Sequence, residues 1–191
     1  RFGNSALKIM DENDYLLGNF SITTYVDRVC TWSIWINFTK ESTSDDQLIF
    51  ADYDGQQGYY INYYDGYIYY TQKKSGSGLY QSRTYLYKPF LNRWHHLVFV
   101  KDNTDLRIYI DGEKQEEDPG VAEDRIGDYP AIITITDTTK KFRLGRDMGT
   151  GTQSLSDARV DDFRVYDVAL SAAEIQMLYY NSDIYHKVTT T

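Results

Sequence analysis

The sequence predicts an all-β fold, an antiparallel two-sheet sandwich with one short C-terminal helix. Three observations predict it. Apolar and polar residues alternate with period 2 over many short segments. Asp and Gly punctuate those segments at hairpin spacing. Only one stretch, near the end, carries a helix start signal.

The elements follow in order. In Thr31–Phe38, Trp32, Ile34, Ile36 and Phe38 alternate with Thr31, Ser33, Trp35 and Asn37, giving a strand with two distinct faces. Gln47–Ala51 is a short apolar run. Gly58–Tyr64 and Tyr67–Gln72 flank Asp65-Gly66, which supplies the positive φ angles of a type I′ hairpin turn. Trp94–Lys101 and Leu106–Ile110 flank a turn at Asp102–Asp105, and Ile110-Asp111-Gly112-Glu113 marks a further hairpin. Ile132–Ile135, Phe142–Leu144 and Val160–Tyr166 complete the strands, and Gly120–Pro130 reads as a loop. Ser171-Ala172-Ala173-Glu174 is a capping box, in which each side chain serves the other's backbone amide. Leu170, Ile175 and Leu178 give that helix an apolar face.

A chain of 191 residues with 41% hydrophobic residues can bury a full core without disulfide or metal staples. Cys30 is the only cysteine, so no intrachain disulfide forms, and a bacterial or cytosolic setting fits better than a eukaryotic secreted one. Asn19-Phe20-Ser21 and Asn37-Phe38-Thr39 match the glycosylation sequon, which matters only in a secretory pathway. The net charge of -8, with no Lys/Arg cluster, excludes nucleic acid as the expected partner. No apolar run approaches membrane-spanning length, so membrane insertion is not expected. The three prolines read as loop residues and no repeat divides the sequence, which predicts one domain over residues 1–191.

Several segments together resemble a known family. They are Asn4-Ser5-Ala6-Leu7-Lys8-Ile9 with Asp14-Tyr15, then Thr31-Trp32-Ser33-Ile34-Trp35-Ile36, then Asn92-Arg93-Trp94-His95-His96-Leu97-Val98-Phe99-Val100. Leu106-Arg107-Ile108-Tyr109-Ile110-Asp111-Gly112, Arg159-Val160-Asp161-Asp162-Phe163-Arg164-Val165-Tyr166 and Ala169-Leu170-Ser171-Ala172-Ala173-Glu174-Ile175 follow in order. The series resembles the laminin-G-like branch of the concanavalin A-like lectin and glucanase superfamily. That resemblance implies a jelly roll, mostly non-catalytic modules on secreted, cell-surface or phage-structural proteins, frequent carbohydrate binding, and in many members one structural calcium. Family members usually carry one more strand ahead of Phe2-Gly3-Asn4. The sequence therefore lacks that strand or is a piece of a longer protein.

Four constellations bear on chemistry. Glucanases of this superfamily carry Glu-x-Asp-x-x-Glu on one strand, as nucleophile, helper and acid. The nearest candidate, Glu116-Glu117-Asp118, continues with Val121 where the last Glu belongs, so the motif is missing and the chain reads as no enzyme. His95 and His96 point to opposite faces of a strand, one into the core and one outward, and neither the histidines nor Cys30 has a catalytic partner at useful spacing.

Asp157, Asp161 and Asp162 are the candidate calcium ligands, with Asp11, Asp14 and Asp27 able to contribute from the opening segment. Asp161 and Asp162 alternate across one strand, which allows one of them to ligate, and the plain alternative is a solvated acidic edge. The tyrosine-rich hairpin is the candidate binding face. With Ile61 and Ile68 facing the core, Tyr59, Tyr63 and Tyr70 also face inward, and Tyr60, Asn62, Tyr64, Tyr67 and Tyr69 face outward. Aromatic rings stack on sugar rings while phenol and amide groups bond hydroxyls. A cross-strand aromatic ladder that stabilises the sheet is the alternative.

The expectation is a carbohydrate-binding or adhesion module outside the cell, at a cell surface or on a virion, with a glycan or surface polysaccharide as partner. A structural module that meets neighbouring subunits of a larger assembly is the second reading. Glycan hydrolysis is the third.

Overall fold

A computed structural model describes residues 6–9, 14–18, 29–40, 47–53, 58–73, 79–83, 91–103, 105–116, 142–146, 154–155 and 157–188. The expected strand Ile132–Ile135, the expected loop Gly120–Pro130 and two acidic candidates, Asp11 and Asp27, lie outside the described residues.

Twelve strands and one helix make up the described part. They are β1 (Leu7–Ile9), β2 (Leu16–Leu17), β3 (Val29–Phe38), β4 (Gln47–Tyr53), β5 (Gly58–Tyr64) and β6 (Tyr67–Lys73). Then come β7 (Leu79–Arg83), β8 (His95–Asp102), β9 (Asp105–Ile110), β10 (Glu113–Lys114), β11 (Arg143–Leu144), β12 (Ala158–Tyr166) and α1 (Ala172–Val188). One sheet runs β1-β12-β3-β8-β9-β10 and the other β2-β11-β4-β5-β6-β7. All named pairings are antiparallel. The expected two-sheet antiparallel sandwich is present.

The turns form where the sequence places them. Asp65 and Gly66 have φ of 47 and 84, and Asp111 and Gly112 have φ of 53 and 83. Two successive left-handed residues are the mark of a type I′ turn, whose twist matches that of the flanking strands.

The core lies between the sheets. From β3 it takes Cys30, Trp32, Ile34, Ile36 and Phe38; from β5 and β6 it takes Tyr59, Ile61, Tyr63, Ile68 and Tyr70, all at most 2% exposed. The inward set expected for the hairpin is therefore the inward set found. Trp32 sits among Phe50, Tyr59 and Tyr70, with ring centroids 5.2, 5.7 and 5.1 Å away. Tilted and edge-on contacts of this kind suit the quadrupoles of the rings, and each such side chain contributes about 1.5–3 kcal/mol through burial.

β3 and β8 are buried on both faces, because α1 covers the outer face of the first sheet. Val98, Val100 and Tyr109 pack there against Leu170 and Ile175. Trp35, His96 and Tyr179 form a ring stack, with Trp35 to Tyr179 at 5.8 Å and 18°. The chain is led into the helix by Thr31, whose hydroxyl donates to the Val168 carbonyl at 2.8 Å and accepts from the Leu170 amide at 3.0 Å. The sequence predicts a short helix, and α1 spans 17 residues. It is seated on the sheet through Ile175 and Tyr179, tertiary packing of the kind that stabilises a helix.

This cover also corrects the histidine expectation. His95 and His96 do point to opposite faces, but both are buried, at 0% and 1% exposure. His95 Nδ1 lies 2.8 Å from the Asp111 carboxylate, and Arg93 Nε donates to His95 Nε2 at 2.9 Å, so Nε2 accepts and Nδ1 carries the proton. His96 Nε2 meets the Ser33 hydroxyl at 2.8 Å beneath Tyr179.

Candidate functional site

The outer face of the second sheet is the face that α1 does not occupy. Register assigns its rows. Leu17, Arg143, Ala51, Tyr60, Thr71 and Gln81 lie side by side across β2, β11, β4, β5, β6 and β7. The next rows along the hairpin place Asn62 opposite Tyr69 and Tyr64 opposite Tyr67.

The candidate residues on this face differ in exposure. Tyr64 is exposed at 37%, whereas Tyr60, Tyr67 and Tyr69 are half-buried. Asn62 faces outward as expected but is 5% exposed, so it is not open to a ligand. Ala51 and Thr71 in the neighbouring row are fully buried. The solvent-facing part is thus the hairpin end. There Tyr69 lies 6.5 Å from Tyr64 and 6.1 Å from Tyr67, with interplanar angles of 51° and 58°. These tilted rings pack on one another in the manner of a cross-strand ladder and do not form one flat platform.

At the other edge of the same face, Tyr15 precedes β2 and is 40% exposed. The Arg143 guanidinium lies 5.0 Å from its ring centroid and that of Arg146 lies 5.9 Å away. The sequence reading missed this group. Its members come from segments more than 120 positions apart, and only the pairing Leu17↔Arg143 brings them together.

The acidic candidates are dispersed. Asp157 is exposed at a left-handed turn (φ 51), and its carbonyl accepts from the Thr39 amide at 3.0 Å and from the Thr39 hydroxyl. Asp161 accepts the Asp162 amide at 2.8 Å. The two do not simply alternate, because register shifts between Asp161 and Arg164 and Asp162 takes φ 49 within that bulge. The Asp162 carboxylate is held by Arg164 Nε at 2.6 Å. Burial works against the Arg164 charge, but bonds from Asp162 and Tyr166 outweigh it and raise the guanidinium's pKa. Asp14 is exposed beside Tyr15. Among the described residues no three His, Cys, Asp or Glu side chains gather around one point.

A second missed cluster lies in the core. Cys30 and Lys101 are cross-strand partners on the inner face, both fully buried. Lys101 Nζ donates to the Tyr59 hydroxyl at 3.2 Å and sits 5.2 Å from that ring's centroid. Removal from water pushes the Cys30 thiol up to about 12 despite the nearby Lys101 and Tyr70, so it stays protonated. A thiol in that state is a poor nucleophile. The signal was present in the alternation of β8, which puts position 101 in phase with Leu97 and Phe99.

The comparisons with known proteins agree with the architecture. The family model of the concanavalin A-like lectin/glucanases superfamily, in its laminin-G-like form, matches residues 11–176. The chain belongs to this superfamily. No curated protein sequence matches this superfamily member. Among solved structures it resembles the receptor-binding domain of the botulinum neurotoxin C/D mosaic serotype, with TM-score 0.67 and 15% identity over 91% of this chain and 42% of that one. It also resembles the receptor-binding domain of botulinum neurotoxin D, with TM-score 0.66 and 16% identity over 95% and 47%. A third is domain 4 of AbnA, an extracellular arabinanase from Geobacillus stearothermophilus in complex with arabinotriose, with TM-score 0.68 and 18% identity over 93% and 80%. The chain spans less than half the length of the toxin domains. At these identities the likeness is one of fold.

Proposed function

We propose that this chain is a non-catalytic carbohydrate-binding or adhesion module acting outside the cell, on a cell surface or on a virion. The observation that carries the reading is the asymmetry of the two sheets. One outer face is occupied by α1, while the other ends in Tyr64, Tyr67 and Tyr69, which stay partly in solvent. Phenol rings at a sheet surface offer flat apolar area to a sugar and hydroxyls to its polar rim. The fold neighbours support it: two are receptor-binding domains and one is a domain in complex with arabinotriose. The missing Glu-x-Asp-x-x-Glu motif supports the non-catalytic part, since hydrolysis needs a positioned pair of carboxylates.

A glycan array followed by calorimetric titration tests the proposal. A shallow site of this kind buries little area against the cost of association, so binding in the roughly millimolar to micromolar range is expected, strengthened by multivalent display. Tyr64→Ala and Tyr67→Ala should each abolish that binding while shifting stability by about 1 kcal/mol or less. Unfolding of both variants, with no glycan bound by the native chain, would remove the reading.

The mutual tilt of the three rings favours a second reading, a structural module whose tyrosine ladder serves the sheet or meets a neighbouring subunit. In that case the chain self-associates or joins a partner through the hairpin end, and Tyr64→Ala weakens assembly instead of glycan binding.

A further inference from the structure

We infer that Tyr15, Arg143 and Arg146 form a subsite for the carboxylate of an acidic sugar, a uronate, on the outer face of the second sheet. The inference rests on the glycan-binding reading and names the ligand class it adds. Two guanidinium groups stand about 6 Å or less from one ring centroid. The ring's negative faces attract each cation, which holds both side chains in place. An anion set beside the Arg146 guanidinium gains its Coulomb attraction. Among the described residues Arg146 has no carboxylate within ion-pair distance, in a chain whose net charge is -8.

The guanidinium fork matches a planar carboxylate in a bidentate arrangement, and a ring-stacked Arg loses less freedom on binding than a mobile one. Tyr15 is 40% exposed and its neighbour Leu17 54%, so the sugar carrying the carboxylate has apolar surface to rest on. Arg143 shares a row with Tyr60 across Ala51, which places the subsite on the same sheet face as the hairpin tyrosines. Asp14, next in sequence to Tyr15, is an exposed carboxylate whose charge opposes an anionic ligand. Its presence favours a ligand bound by direct contact over one drawn in by a broad positive field.

The test uses the full chain and three probes: a galacturonic acid trisaccharide, its methyl ester, and neutral arabinotriose. A sulfated neutral trisaccharide forms a fourth arm, which separates carboxylate recognition from general anion binding. The expected result is that the acid binds at least about tenfold more tightly than the ester, a preference that shrinks as salt screens the charges. Arg146→Gln should erase the preference without changing the melting midpoint or the affinity for arabinotriose. Tyr15→Phe should retain the preference and Tyr15→Leu should reduce it, because the ring orients the cations. Equal binding of acid and ester, an unchanged preference in Arg146→Gln, or sulfate binding that matches carboxylate binding would overturn the assignment. Acid binding with no arabinotriose binding would keep this subsite and discard the tyrosine site. Arabinotriose binding with no acid preference would do the reverse.

Discussion

Cys30 shows how much a single residue's role depends on burial. It is a small apolar filler beneath the sheet, cross-strand to a buried lysine. Its thiol pKa rises from 9.0 to about 12 because burial disfavours the thiolate. The folded value lies above the unfolded one, so the protonated thiol's contribution is fully present below about pH 9 and is lost as pH rises towards about 12. Denaturant melts across that window should show stability falling with pH, and Cys30→Ala should fall less steeply than the native chain. Parallel slopes would remove Cys30 as a cause. A thiol reagent at neutral pH should leave the folded chain unlabelled and label it on unfolding. At the same scale, Asp111 joins turn to strand by accepting from His95 Nδ1 at 2.8 Å and the His96 amide at 2.9 Å. The Asp-Gly pair thus serves both the turn and the buried histidine.

At the scale of elements, α1 is stabilised at its start and at its middle. Ser171 and Glu174 exchange bonds as the capping box predicts: the Ser171 amide donates to the Glu174 carboxylate at 2.8 Å, and the Glu174 amide donates to the Ser171 hydroxyl at 3.3 Å. Hydrogen bonds from the Ser171 hydroxyl and amide hold the Glu174 carboxyl below its usual range. That contribution is therefore present above the ordinary carboxylate pKa and fades as pH falls through the lowered value. The middle is held by Tyr179 against Trp35 and His96. Ser171→Ala should cost about 1 kcal/mol, the usual value of an N-cap. Tyr179→Ala should cost more, about 2–4 kcal/mol, because it opens a space above two buried rings. Urea titration of both variants measures the order; a larger loss from the cap than from the ring would mean that the helix is not seated by its stack. The strands flanking Asp-Gly turns and the long β3 and β8 were legible to within about two residues, since period 2 and Asp-Gly turns are local signals, whereas β7 (Leu79–Arg83) was not named from the sequence. The seating of the helix was not legible, since it depends on a sheet face more than 60 positions away.

For the molecule as a whole, two sheets carry two different surfaces. The first sheet spends its outer face on the helix, and the second leaves part of its own in solvent, at the β5–β6 hairpin end and beside β2. Calcium remains a proposal, and its test separates two partners for one carboxylate. Asp162 is bound to Arg164 and sits at φ 49, a conformation that Asn tolerates. Asp162→Asn should lower the melting midpoint by the same amount in calcium and in chelator, with a loss of about 1 kcal/mol. A loss confined to the calcium series would make Asp162 a ligand. A midpoint of the native chain that calcium raises, and Asp157→Asn returns to its chelator value, would place the ion near Asp157.

The sequence by itself determined the local order of this protein. Alternation named the inward tyrosines of the hairpin, Asp-Gly pairs located two turns, and Ser171 with Glu174 marked where the helix starts. Each of these depends on residues a few positions apart, whose backbone preferences and side-chain directions need no distant partner. The sequence also carried the absence of the hydrolase motif. Tertiary structure decided everything that requires two distant segments to meet. It buried His96 under Tyr179, closed Asn62 to solvent, bent the strand at Asp162 so that Arg164 takes the carboxylate, and tilted Tyr64, Tyr67 and Tyr69 against one another. It also set Arg143 and Arg146 around Tyr15. The physical reason is that exposure and charge pairing are properties of a neighbourhood in space, and pairing register, not spacing along the chain, assembles that neighbourhood.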